Sequence, residues 1–156
     1  MFGSGRADRI AYFPETGGEL WQGGFPARGN LGREGVSLLI LCAKELQPDT
    51  VAEAREHFGC DVALAPLNDV ESGPTSAEIA LATAAAREAV RHIRRGGRVL
   101  SSCAMGRNRS SLCTAIILMM LTKMSGDDAV RAIRACRAET LTNRGFVGFL
   151  RRVHVR

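Results

Sequence analysis

The sequence predicts an α/β domain: a central, mostly parallel, twisted sheet flanked by helices, with a C-terminal helical bundle on one face. Two patterns predict it. Through the middle of the chain, short apolar and β-branched runs alternate with stretches of helical spacing, the signature of a parallel sheet with helices on its faces. The last third carries three helical stretches in succession with no strand between them. A length of 156 residues, 46% hydrophobic and 24% charged, fits one domain spanning 1–156 with a buried core.

The elements follow in order. Strands are expected at residues 9–13, 19–22, 36–42, 62–65 and 98–101, with Gly23-Gly24 and the glycines at 29 and 32 marking early turns. A helix over 50–58 separates two of these strands. Thr75-Ser76-Ala77-Glu78 has the spacing of a capping box and opens an Ala-rich helix that stops near Gly96-Gly97. The apolar run beginning at Leu112 is too short to span a bilayer and reads as a buried helix over 110–124. Ser125-Gly126-Asp127-Asp128 starts the next helix, which runs to Arg137, and a last one covers 143–153.

Composition narrows the function classes. Five cysteines, none in C-x-x-C spacing, argue against a disulfide framework or a zinc knuckle and point to a reducing, cytoplasmic setting. The opening segment MFGSGRADRI has no apolar leader core, and no stable membrane insertion is expected. Of 21 basic residues, 19 are arginine, and the net charge is +5. The groups Arg91, Arg94, Arg95, Arg98 and Arg131, Arg134, Arg137 read as solvated helix faces, with attraction of anionic partners as the alternative.

The richest stretch is Val99-Leu100-Ser101-Ser102-Cys103-Ala104-Met105-Gly106-Arg107-Asn108-Arg109-Ser110-Ser111. A strand, a loop with one thiol and one guanidinium, and a helix N-terminus make an anion trap with a nucleophile in its floor. The backbone of Ala104, Met105, Gly106, Arg107 and Asn108 is expected to cradle a phosphate, with Gly106 permitting the curl. Arg109 would fork onto two phosphate oxygens. Ser110 would donate a hydrogen bond to the Cys103 sulfur. A phosphate ester also needs an acid for its leaving oxygen. Asp69, after the fourth strand, lies at the sheet edge where the loop lies. Asp61 sits at the other end of that strand, and Glu71 is the second choice. The C-x5-R spacing alone carries little in so arginine-rich a chain; its setting gives it weight.

From about Glu19 to Val153 these residues resemble the cysteine-dependent protein phosphatases, in particular the compact dual-specificity branch. The match rests on Leu20-Trp21-Gln22-Gly23-Gly24, Asp69, the run Cys103 to Ser110, and Arg137-Ala138-Glu139-Thr140-Leu141-Thr142-Asn143 with Phe146 and Leu150. The resemblance implies hydrolysis of phosphotyrosine, with phosphoserine and phosphothreonine alongside, in a phosphoprotein substrate. It implies a phosphocysteine on Cys103, Asp69 as acid and then base, and no metal or organic cofactor. Ser102 stands where the family carries a histidine that orders the loop, so Ser102 and Asn143 are the expected loop supports. Arg107 is similar to a second loop cation of phosphoinositide phosphatases, and Gly106-x-Asn108-Arg109-Ser110 to RNA 5′-triphosphatases. An anionic lipid or an RNA 5′ end is therefore an alternative substrate. Ser102 also leaves open a weakly catalytic phosphate-binding module, and a rhodanese-like sulfur carrier stands further off. Cys113, Cys136 and Cys60 read as packing residues. Cys42, in Leu41-Cys42-Ala43-Lys44-Glu45, resembles a cysteine that pairs with the nucleophile under oxidation, which makes Cys42–Cys103 a candidate disulfide beside a buried-core reading.

Overall fold

A computed structural model of the chain describes residues 6–26 and 29–154. Five strands form one sheet in the order β1-β2-β5-β3-β4: β1 (Ala7–Phe13), β2 (Gly18–Gly23), β3 (Val36–Ala43), β4 (Asp61–Leu67) and β5 (Arg98–Ser102). Only the β1–β2 pair is antiparallel; β2–β5, β5–β3 and β3–β4 are parallel. The helices are α1 (Val51–Phe58), α2 (Ser76–Arg94), α3 (Arg109–Thr122), α4 (Gly126–Cys136) and α5 (Arg144–Arg152). A 3-10 turn at Lys44–Leu46, which the sequence pattern does not signal, follows β3. Among the described residues no helix is long and apolar enough to cross a membrane.

Strand alternation divides the core. Leu38, Ile40 and Cys42 of β3 face the side covered by α2, α3, α4 and α5, whereas Leu39 and Leu41 pack with Leu31, Ala54 and Phe58 on the α1 side. Helix α3 is buried from Arg109 to Met119, which explains a sequence apolar on every face: it lies between the sheet and its neighbouring helices. Strand β4 runs through Pro66 to Leu67, beyond the expected residue 65; as an edge strand paired only with β3 it tolerates a residue without an N–H.

Capping follows the sequence signals closely. Thr75 and Glu78 form the reciprocal capping box of α2. Ser125 caps α4 and Asn143 caps α5, each side chain accepting a backbone N–H of the first turn. The parallel strands carry Cys103 and the segment after Leu67 to the same edge of the sheet, beyond the carboxyl ends, where open α/β sheets bind ligands.

Phe146, fully buried on α5, is the largest side chain locking that helix and its Asn143 cap onto the core. Phe146→Ala is expected to lower the unfolding free energy by about 3–5 kcal/mol, measured by denaturant titration; a loss under ~1 kcal/mol contradicts this packing role.

Candidate active site

The loop from Cys103 to Asn108 links β5 to α3, and its conformation is imposed from outside. The carbonyl of Ala104 accepts from Phe25 N–H (3.4 Å), and that of Met105 from Arg137 Nη2 (3.2 Å). The Gly106 carbonyl accepts from Arg137 Nε (2.8 Å) and Gln22 Nε2 (3.1 Å). The Arg107 carbonyl accepts from Ser111 Oγ (2.7 Å) and Leu141 N–H (2.9 Å). In a trans peptide the carbonyl of one residue and the N–H of the next point to opposite sides. Holding four consecutive carbonyls outward therefore turns the N–H groups of Met105, Gly106, Arg107 and Asn108 inward. None of these four amides donates to another group among the described residues. The result is a concave ring of donors at the start of α3, suited to an oxyanion. Gly106 has φ +68°, and a Cβ there would lie 2.4 Å from the Gly23 carbonyl carbon, so only glycine fits.

Cys103 is buried beneath this ring, and Ser110 Oγ lies 3.2 Å from its sulfur. Arg109 is held by Glu45, on the 3-10 turn, through both terminal nitrogens, Nη1 to Oε2 and Nη2 to Oε1 (2.8 Å for the second). Nη1 also donates to the Leu67 carbonyl at 3.4 Å. Nε is buried and has no partner among the described residues. Of the five guanidinium N–H groups, Nε–H and the second Nη2–H are thus left, and together they form the side-on edge that takes two oxygens of a phosphate. The guanidinium pulls the Glu45 carboxyl from 4.5 down to about 2, and the carboxylate in turn raises Arg109 above its ordinary value.

Asp69 is exposed, and each carboxylate oxygen is held. Oδ2 accepts from Asn108 Nδ2 (3.0 Å) and Oδ1 from Asn143 Nδ2 (2.7 Å). Asn143 also donates to the Val70 carbonyl (2.9 Å) while its oxygen caps α5. Asn108 bonds Thr142 Oγ1 and accepts from Asn143 N–H, so one amide ties the loop, the acid and the start of α5 together. Glu78 adds a further restraint, accepting from Asn68 N–H at 2.7 Å beside its capping-box bond. Gly145, in the first turn of α5, lets the acidic segment lie flat on the helix: a Cβ there would meet Glu71 O at 2.3 Å and Gly73 N at 2.4 Å. Cys103, Asp69, Met105, Arg107, Asn108, Arg109 and Thr142 line one cavity of about 210 Å³.

The structure therefore gathers Cys103, Arg109, Asp69, Ser110, Asn108 and Asn143 in one place. Asp61 pairs with His92 (3.6 Å) at the far end of β4, and Glu71 accepts from Arg144 N–H (3.2 Å) outside the cavity. Two expectations change. Ser102 does not support the loop: strand alternation turns Ser101 toward α3, where its hydroxyl donates to the Ser110 carbonyl (2.9 Å), while the buried Ser102 Oγ has no partner among the described residues. Cys42 is fully buried, with Cys103 within electrostatic reach, and its sulfur lies 3.9 Å from Ser101 Oγ and 3.5 Å from the Cys113 thiol. Burial and that neighbouring thiol push Cys42 well above the ordinary thiol range. Arg137 and Arg98 are part-buried and engaged rather than free on a solvated face: Arg137 bonds the loop and Asp8 (2.7 Å), and Arg98 bonds Glu19 (2.7 Å). Four contributors escape the sequence reading, namely Gln22, Glu45, Ser111 and Arg137 in its loop role. Among the described residues no group of three or more His, Cys, Asp or Glu is placed to hold a metal ion.

No protein-family model matches the chain, and no curated protein matches it. Solved structures do. The chain is similar to PTPMT1 in complex with PI(5)P, with TM-score 0.72 and 21% identity over 93% of this chain and 92% of that one. It is similar to human DUSP28, with TM-score 0.70 and 23% identity over 92% and 89%. It is also similar to the PTP-2 phosphatase of Cydia pomonella, with TM-score 0.71 and 17% identity over 97% and 89%. The fold is that of the dual-specificity phosphatases.

The Glu45–Arg109 pair makes a pH prediction. Because the folded protein lowers Glu45 from 4.5 to about 2, the stability this pair adds is complete above about pH 4.5 and is lost as pH falls toward 2. The Glu45 side chain is 56% exposed, so the gain is nearer ~1 kcal/mol than the several of a buried pair. Denaturant melts of wild type and Glu45→Gln are expected to differ by about that much at neutral pH and to converge on acidification. A difference that persists at pH 2 contradicts the assignment.

Proposed function

We propose that this protein hydrolyses phosphate monoesters through a phosphocysteine on Cys103, with phosphotyrosine in proteins as its leading substrate and phosphoserine and phosphothreonine alongside. The observation that carries the reading is the open side-on edge of Arg109 beside the Cys103 thiol and the four inward amides. Those donors match the oxygens of a phosphoryl group poised over a nucleophilic sulfur.

In the first step the Cys103 thiolate attacks phosphorus, and the S–P bond forms as the P–O bond to the leaving group breaks. Asp69 gives its proton to that leaving oxygen. The equatorial oxygens stay on Arg109 and on the amides of Met105 to Asn108, which follow their charge through the transition state. In the second step Asp69, now ionised, takes a proton from water as its oxygen attacks phosphorus and the S–P bond breaks. The Ser110 hydroxyl, 3.2 Å from the sulfur, stabilises the departing thiolate. Such chemistry needs a reduced Cys103, in keeping with a reducing, cytoplasmic setting.

A second cavity, of about 580 Å³, adjoins the first through Met105 and Arg107 and is also lined by Phe25, Arg137 and Glu139. Phe25 and the 62% exposed Met105 offer apolar walls for an aromatic leaving group, and the mixed charges suit flanking polar side chains. A phosphoinositide is the second reading. Among the described residues the Arg107 side chain pairs with the exposed Glu139 (3.3 Å), a contact that a second phosphate would displace at little cost. The similar PTPMT1 structure contains such a lipid, PI(5)P.

Hydrolysis of an aryl phosphate tests the chemistry. Cys103→Ser is expected to lose at least about 10³-fold in kcat, and Asp69→Asn about 10²–10³-fold. Wild-type turnover by Cys103→Ser refutes the nucleophile. Tungstate binding by a wild type that never turns over substrate establishes the phosphate-binding module instead. Higher kcat/KM on a phosphotyrosyl peptide than on PI(5)P supports the protein reading, and the reverse supports the lipid.

A further inference from the structure

Ser102 leaves the loop without the support expected of the residue before the cysteine, yet the loop carbonyls are held. Part of that support comes from a buried polar chain the mechanism does not otherwise use. Gln22 is fully buried on β2, in register with Ser101 of β5. Its Nε2 donates to the Gly106 carbonyl (3.1 Å) and to Ser111 Oγ (2.6 Å). The fully buried Ser111 hydroxyl passes its own hydrogen to the Arg107 carbonyl (2.7 Å). Both hydrogens of one carboxamide are thereby used on the loop, directly and through one hydroxyl. Gln22 Oε1 is buried and finds no partner among the described residues. The side chain is kept in the core with its acceptor unsatisfied, so its donor end is what the fold uses.

We propose that Gln22 and Ser111 are positioning residues for the nucleophile, orienting the Gly106 and Arg107 carbonyls outward so that the Arg107 and Asn108 amides face Cys103. The proposal rests on reading Cys103 as the nucleophile. Fixing those two peptide planes supplies two dipoles that favour the thiolate over the thiol. The charged and titratable groups around Cys103 are Arg109, Asp69 and Arg107, with Glu45 behind Arg109 and the Cys42 thiol on β3. Neither proposed residue is charged, so replacing either leaves that set intact. Arg137 also holds the Gly106 carbonyl, so loss of Gln22 weakens the anchor rather than abolishing it.

The test is the pH dependence of Cys103 alkylation by iodoacetamide, followed by mass spectrometry of the Cys103 peptide with no substrate present. In Gln22→Leu the pH of half-maximal reactivity is expected to rise by about one unit, with about a tenfold loss of kcat/KM on an aryl phosphate at neutral pH. Ser111→Ala is expected to move the midpoint the same way by a smaller amount. The double variant should shift little further than Gln22→Leu, because the two act through one chain. Ser111→Ala removes only a hydroxyl and carries the test if Gln22→Leu does not fold. A folded variant whose alkylation midpoint matches wild type overturns the proposal. A shifted midpoint in a protein that hydrolyses no phosphate ester sinks the phosphatase reading and leaves this inference standing.

Discussion

The site depends on one constraint, the outward anchoring of the four carbonyls from Ala104 to Arg107. Nothing within the short loop enforces that arrangement. Donors from β2, the segment after it, α3 and the α4–α5 connection enforce it together. Once the carbonyls are fixed, trans-peptide geometry turns the amides toward the sulfur, and α3 begins at Arg109 with its guanidinium beside them. The connection holds backbone that few residues adopt freely: Glu139 and Leu141 have φ +61° and +55°, and the strained Leu141 gives its N–H to the Arg107 carbonyl. Local strain is thus retained where it secures the loop.

Asp69 is coupled to the same loop. Asn108 and Asn143 each hold one of its carboxylate oxygens and are bonded to each other, so loop, Asp69 and the α5 cap form one polar unit. That accounts for an exposed carboxylate standing in a defined position without burial. It also explains why Asn108, the residue before α3, makes no side-chain capping bond of its own: its amide is occupied by Asp69, Thr142 and Asn143.

Much of this was legible in the sequence because the signals are local. Strand, loop and helix are contiguous around Cys103, Ser110 lies only seven positions after it, and Asn143 has cap chemistry at a helix start. Parallel topology alone placed Asp69 at the sheet edge of Cys103 and Asp61 at the opposite one. The missed residues act across long separations: Glu45 reaches Arg109 over 64 positions and Gln22 reaches Gly106 over 84. A glutamine in a strand and a glutamate after one carry no pattern that marks a partner. The buried-core reading of Cys42 follows from strand alternation. Its period-2 place with Leu38 and Ile40 turns it into the core toward α3, where Cys113 waits. Strand alternation likewise removes Ser102 from the loop while turning Ser101 onto the first turn of α3.

Trapping the intermediate tests the central claim most directly. Wild-type protein quenched in acid during turnover of an aryl phosphate should carry a phosphoryl group that peptide mapping places on Cys103, and Cys103→Ser should carry none. Turnover with no adduct on Cys103, or with the phosphoryl group on another residue, would contradict the account.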